Sequence, residues 1–287
     1  MRWSVDKMQP ASSLGNSSAD SPATDATSRP TTGGQTRAAS KRATLALYSS
    51  AHKWLVIPML VILVAFTPQY FATFTSEPWA YHVHVWAAIA WYGLMITQPY
   101  LVTHGRMQSH RTWGMVGLIA AGGFIATGLM ITPVNVYFGL IGGFPPVFPG
   151  EFFFGLTMTE TLAMLGFAVS VGMAIRRSKR PDEHAIWMLG TVFFGFMPAF
   201  LRLSMFPVFA FGIEMSTTAA LSASVPVFVT VILWVGYRLG KLTHPVILGS
   251  SAVTVLMIAT SYVGSLEWYQ TFISQLMKPV IPWPGLE

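Results

Sequence analysis

Apolar residues run continuously along most of the chain, in blocks separated by short polar or basic connections. A helix that crosses a bilayer needs about 20 predominantly apolar residues, and seven stretches qualify: Trp54–Phe74, Trp79–Thr103, Thr112–Pro133, Glu151–Ile175, His184–Phe206, Thr218–Tyr237 and Pro245–Ser265. In hydrocarbon every backbone polar group must be paired within the protein, so such runs are helices or strands of a closed barrel. A barrel strand alternates apolar and polar positions. These runs do not alternate, so the pattern predicts an all-α, polytopic integral membrane protein with seven transmembrane helices over residues 44–266. Between the third and fourth stretches, Val134–Gly150 carries Gly142, Gly143, Pro145, Pro146 and Pro149 and reads as a loop or re-entrant segment.

The two ends differ from this pattern. Residues 1–43 are rich in Ser, Thr, Ala, Gly and Pro, without periodic apolar positions, and are expected to form a disordered tail. They contain no apolar signal-peptide core, and Asp6, Asp20 and Asp25 argue against a transit peptide. Residues 267–287, with Trp268, Tyr269 and Trp283, read as an interfacial segment anchored by aromatic rings.

Basic residues set an orientation. Lys41, Arg42 and Lys53 precede the first stretch; Arg106 and Arg111, then Arg176, Arg177, Lys179 and Arg180, then Arg238 and Lys241 fill alternate connections. The opposite connections have no Lys or Arg before Lys278. Cytoplasmic loops carry the excess of Lys and Arg, so the N-terminus is expected in the cytoplasm, the C-terminus outside, and the chain in the inner membrane. The net charge of +6 thus reports orientation and not an acidic partner such as nucleic acid.

Composition narrows the chemistry. The chain is 53% hydrophobic and only 10% charged, with ten Trp and twenty Phe, whereas a soluble domain carries roughly a quarter charged residues. A soluble enzyme, a disordered protein and a nucleic-acid binder are excluded. Without cysteine there is no disulfide, thiolate metal site or thiol nucleophile. A retinal Schiff base would need a Lys in the last stretch, and phosphate-loop, His-Glu-x-x-His and nucleophile-elbow motifs are absent. The partner implied throughout is the lipid bilayer.

Ionisable residues inside a span are expensive and mark functional positions. His84, Trp91 and Gln98 recur at heptad spacing and share one face of the second stretch, with His82 on another. In the fifth stretch His184, Met188, Thr191, Gly195, Pro198 and Arg202 follow at intervals of three or four; His184 and Arg202, five turns apart, project in one direction near opposite membrane surfaces. Glu160 lies in the outer half of the fourth stretch, beside Thr157 and Thr161. A rise of 1.5 Å per residue puts Glu160 roughly 13 Å and Arg202 roughly 6 Å below the outer surface, so an ion pair or water-bridged contact between them is expected, with His84 alongside. As a structural feature, it would simply tie two helices together. Small residues form rows, Gly114, Gly117, Gly122, Gly123 and Gly128 in the third stretch and Gly166, Ser170 and Ala174 in the fourth, as close helix packing requires. At the cytoplasmic end His52, His104, His110, His184 and His244 all sit beside helix ends. Neutral imidazole ligates haem iron and transition metals, and His110 with His184 meets the depth condition for a bis-His haem b. Ordinary hydrogen bonding is the alternative for each.

The pattern His84, Gln98, His110-Arg111 with Gly114, His184-x-x-x-Met188 and Arg202 resembles that of a family of bacterial multi-pass membrane proteins without an assigned activity, and the likeness covers about 120 of the 287 residues. The His-bearing core is also loosely similar to membrane cytochromes of the b561 type, although it lacks their His pairs on both sides. The His-lined bundle is read first as that of a redox membrane protein that holds haem, a metal or quinone with His84, His110 and His184. Two other readings stand beside it: a proton- or solute-coupled transporter using Gln98, Glu160, Arg202 and His84, and a non-catalytic subunit or assembly factor of a larger membrane complex.

Overall fold

A computed structural model describes residues 48–77, 79–144 and 148–280. The expected tail 1–43, Pro145, Pro146 and Trp283 lie outside the described residues. The fold is helical: α1 (Ala51–Trp54), α2 (Val56–Phe66), α3 (Trp79–Thr103), α4 (Met107–Leu129), α5 (Thr132–Leu140), α6 (Gly150–Arg176), α7 (Pro181–Ser204), α8 (Phe206–Phe211), α9 (Thr217–Arg238), α10 (Pro245–Leu256), α11 (Thr260–Gly264) and α12 (Glu267–Met277). The strands among the described residues are the two-residue β1 (Gly143–Phe144) and β2 (Phe148–Pro149), paired antiparallel. Among the described residues six helices are long and apolar enough to cross a membrane: Tyr81–Thr103, Met107–Leu140, Gly150–Arg176, Pro181–Val208, Thr217–Arg238 and Pro245–Gly264.

Two segments differ from the sequence reading. The first apolar stretch forms a shorter helix, Ala51–Phe66, and then changes pitch. Pro68 offers no N–H, Thr67 Oγ1 donates to Leu63 O (2.8 Å), and Ala72 N–H reaches back to Thr67 O (2.9 Å), closing a π-helical turn over Thr67–Phe71. Past Leu129 the chain does not become a loop. Pro133 stands in the first turn of α5, where its missing donor costs nothing, and helix continues to Leu140. A turn at Ile141 and Gly142 follows, with Gly142 at φ of 88°, and Gly143, at φ of 73°, opens β1.

The apolar surface is distributed as a bilayer demands. Ile119 (78%), Val64 (64%) and Val227 (63%) are exposed, while Phe167, Ile186, Ile232 and Ile247 are wholly buried. Burial is deepest along α7, where 67% of the most apolar window is covered against 22–33% in the other five spanning helices. It packs against α6, α2, α10, α9 and α3 and is therefore the axis of the bundle.

Close approach depends on small residues where helices cross. The α6 row faces α7: a side chain at Gly166 would meet the Phe194 ring, Ser170 abuts Gly190, and Ala174 is fully buried. The α4 row is less uniform, since Gly117 and Gly128 meet neighbours whereas Gly114 and Gly122 face open space. The tightest contact involves residues outside both rows. A Cβ on Gly155 of α6 would overlap the Thr260 carbonyl, and one on Gly264 of α11 would overlap the Glu151 carbonyl. Beyond this crossing, α12 lays Tyr269 and Ile273 on α5 and α6, with Tyr269 Oη 2.7 Å from the buried Thr157 Oγ1. Its Trp268, Phe272 and Leu276, four residues apart, remain exposed as a second apolar stripe.

The glycine crossing makes a testable contrast. Gly155→Ala is expected to destabilise the protein by about 1–3 kcal/mol through overpacking, whereas Gly122→Ala, in open space, should leave stability unchanged or slightly raised. Thermal unfolding of the two variants in detergent measures the difference.

Candidate functional site

The polar residues of the spans converge on two separate places. The larger is a cavity of about 480 Å³ enclosed by α3 to α7 and the end of α2. Its walls are mostly aromatic and aliphatic, and His84, Glu160, Arg202, Asn135 and Tyr81 supply most of its polar groups.

Each polar group is held from a different helix. On α3, His84 stacks on Phe124 with ring centroids 4.8 Å apart, and its Nδ1 is 3.1 Å from Thr127 Oγ1. That hydroxyl already donates to Gly123 O at 2.6 Å, so it accepts from His84 Nδ1–H. The Nε2 lone pair of His84 is left as an acceptor. On α6, Glu160 Oε2 accepts from Asn135 Nδ2 at 2.5 Å. On α7, Arg202 Nη1 donates to Pro198 O at 3.0 Å, and its guanidinium lies 4.1 Å from the Phe66 ring centroid, a cation–π arrangement.

The expected contact between Glu160 and Arg202 does not take the form of a direct ion pair. Both side chains reach the same cavity, where the carboxylate accepts from Asn135 and the guanidinium has Pro198 O and Phe66 among its partners. Elsewhere Glu183 pairs with Lys241 (2.7 Å) and lies 3.4 Å from His244 Nε2. Two opposite charges in a poorly hydrated space still attract strongly. Asn135 is the functional residue that sequence reading missed. It sits in α5, within the segment Val134–Gly150 read above as a loop or re-entrant segment, and the available signal was a lone amide within the apolar run Pro133–Phe138.

The second place lies at the other end of the bundle and gathers Gln98, His110 and His184. The buried Gln98 amide lies against a turn of α4, beside His110 Nδ1, His110 O and Gly114 N–H. His184 Nδ1–H donates to Ala174 O across α6 at 2.9 Å. The two imidazole rings stand edge-on with centroids 6.3 Å apart. Thus the structure joins His110 to His184 but separates both from His84. Gln98 and His84 are fourteen residues apart on α3, about 21 Å along the axis. A dry layer fills the interval. There Trp91 Nε1–H donates to Thr191 Oγ1 (3.1 Å), Tyr92 O–H donates to Val192 O (3.0 Å), and Phe124 and Phe167 pack alongside.

Of the remaining histidines, His82 hydrogen-bonds Tyr70 (2.8 Å), His104 bonds Tyr100 O (2.8 Å), and His244 caps α10 through Val246 N–H while approaching Glu183. His52 packs edge-on against Tyr100, and its buried Nδ1 has no hydrogen-bond partner among the described residues. Among the described residues no group of three or more His, Asp or Glu gathers around a metal position.

Asn135 should couple to Glu160. Asn135→Ala leaves a buried carboxylate oxygen without its donor and is expected to cost about 1–3 kcal/mol. The same change in a Glu160→Gln background should cost measurably less, a double-mutant cycle in thermal unfolding giving the coupling. No known protein family matches the chain, no curated protein matches it in sequence, and no solved structure matches it in fold.

Proposed function

We propose that this protein is a membrane-embedded, redox-class binding protein whose outer cavity takes a lipid-soluble quinone. The observation that carries the reading is the cavity's composition: about 480 Å³ lined largely by aromatic rings, with His84, Glu160, Arg202 and Asn135 converging in it. Small-molecule sites are concave, mostly apolar, of roughly 300–1,000 Å³, with a few well-placed polar groups. A quinone suits such a place. Its flat ring stacks on aromatic faces, and its two carbonyls are acceptors whereas the quinol hydroxyls are donors. The cavity offers both complements, Arg202 N–H groups as donors and the His84 Nε2 and Glu160 oxygens as acceptors.

The seven-span topology belongs to the same proposal. The Ala51–Phe66 helix and its π-helical continuation complete a seventh crossing, the N-terminus faces the cytoplasm, and α12 lies in the outer interface of the inner membrane. Support comes from the basic residues of the alternate connections and from the exposed stripe Trp268, Phe272 and Leu276, the pattern of a helix lying in an interface.

One further observation favours a second reading. The cavity carries charges of both signs and is divided from the His110–His184 end by the dry layer around Trp91, as in a carrier that opens its polar site to one side at a time. A proton- or solute-coupled transporter is the alternative on that ground.

Titration of the protein in nanodiscs with a short-chain quinone, followed by tryptophan fluorescence, should show saturable binding. Glu160→Gln and Arg202→Leu should each weaken it by about tenfold or more, the size expected for loss of a charge-assisted hydrogen bond. Absence of saturable binding by folded protein, with a solute-dependent proton flux abolished by the same changes, would replace this reading with the carrier. For topology, the chain's lack of cysteine lets a single introduced thiol report its side. In intact cells a membrane-impermeant maleimide should label Gln275→Cys once the outer layers are permeable, and Lys179→Cys only after the inner membrane is broken.

A further inference from the structure

We infer that one corner of the cavity binds a soft, singly charged metal ion, copper(I), between the imidazole of His84 and the thioether of Met164. This site is separate from the quinone reading, although an ion on His84 Nε2 would take the lone pair that a quinol hydroxyl uses there. Two neighbouring residues of α4 prepare the corner. The first, Thr127, fixes the imidazole: its Oγ1 accepts from His84 Nδ1–H (3.1 Å) and is itself committed to Gly123 O (2.6 Å). A histidine that ligates a metal characteristically donates its other ring N–H in this way, which sets tautomer and ring plane. Phe124, stacked on the ring, braces it from one face.

The second, Gly128, leaves room for the sulfur. The point where a Cβ on Gly128 would stand is 3.2 Å from Met164 Sδ and 3.4 Å from His84 Cε1, the carbon between the two ring nitrogens. The thioether of α6 and the imidazole of α3 therefore converge at a backbone position that carries no side chain. His84, Gly128 and Met164 all line the cavity, as do Met197 of α7 and Met257, between α10 and α11. Both of these are buried, so further thioether sulfurs stand in the same walls. His82, two residues away, is engaged otherwise: its Nδ1 is bonded to Tyr70 (2.8 Å), and Phe74 packs on its ring.

The donors select the ion. Thioether sulfur favours copper(I) and imidazole suits copper, whereas hard cations want carboxylates, carbonyls and water. Methionine ligates without losing a proton, so a chain without cysteine holds such an ion with no thiolate in its interior. Formal charge agrees. Apart from histidine and tyrosine, the ionisable side chains of the cavity wall are Glu77, Glu160 and Arg202. They leave one carboxylate in excess, which a singly charged ion balances and a doubly charged one does not. An uncompensated charge is costly where water is scarce.

The test is an anaerobic titration of the full-length, quinone-free protein in nanodiscs with copper(I) supplied as its bicinchoninate complex, whose colour reports the ion withdrawn. One equivalent per chain should be withdrawn, and X-ray absorption at the copper edge should show nitrogen and sulfur neighbours together. Thr127→Val should weaken binding by about tenfold or more, the usual size for a residue that orients a ligating histidine. Met164→Leu, which keeps the side-chain volume, and His84→Phe should weaken it at least as much. Met188→Leu, on α7 outside the cavity wall, should change nothing. Folded protein that withdraws no copper(I), or a neighbour shell of sulfur alone, would overturn the site, and so would unchanged affinity in Met164→Leu and His84→Phe. Should either variant not fold, the neighbour shell of the unaltered protein decides. Copper(I) binding without saturable quinone binding would remove the quinone reading and leave this site standing; the reverse result would remove this site alone.

Discussion

Water is missing from the interior of a bilayer, and every feature of this fold follows from that absence. A backbone N–H or C=O without a partner there costs several kcal/mol, so the chain resolves into helices that pair their own groups. Departures from α-helix occur where the backbone finds a substitute. The π-helical turn after Phe66 re-pairs Ala72 N–H with Thr67 O around Pro68, and Pro133 is placed where no donor is needed. Serine and threonine obey the same rule inside the bundle, returning their hydroxyls to carbonyls one turn back, as Ser170, Ser250 and Thr254 do.

With hydrophobicity nearly the same inside the protein and in lipid, helices associate through close packing and the few available hydrogen bonds. That explains why α6 carries so much of the structure. Its small residues admit the Phe194 ring and Gly190 from α7 on one side and the backbone of α11 on another. Its Glu160 meets Asn135, and its Ala174 carbonyl receives His184. The helix thereby links the cavity to the His110–His184 end without a polar path between them. The intervening layer of Trp91, Tyr92, Phe124 and Phe167 satisfies its two polar tips internally, so it excludes water while remaining closely packed.

The two polar places use their charges differently. In the cavity, Glu160 is held by the Asn135 amide, while Arg202 has its own helix backbone and the Phe66 ring among its partners. At the other end the His184 imidazole is held by the Ala174 carbonyl, and His110 lies beside the Gln98 side chain. The surface pair Glu183–Lys241 is a more ordinary ion pair, partly exposed and of small energetic weight.

What the amino-acid order determined by itself was whatever depends on local periodicity. The spans from α3 onward follow from runs of apolar residues. The inward stripe of His84, Trp91 and Gln98 follows from heptad spacing, and the stripe from His184 to Arg202 from three- and four-residue steps; both stripes do face the interior. At Val134–Gly150, where glycine and proline suggested a loop or re-entrant segment, the chain is helical as far as Leu140, because Pro133 lies at a helix start. Only the tertiary structure decided which of these residues meet. Spacing along one helix carries no information about the axial offset between two, and that offset comes only from the packing of the helices. Packing is what brought Asn135 to the Glu160 carboxylate and His110 beside His184, while His84 stayed with the cavity.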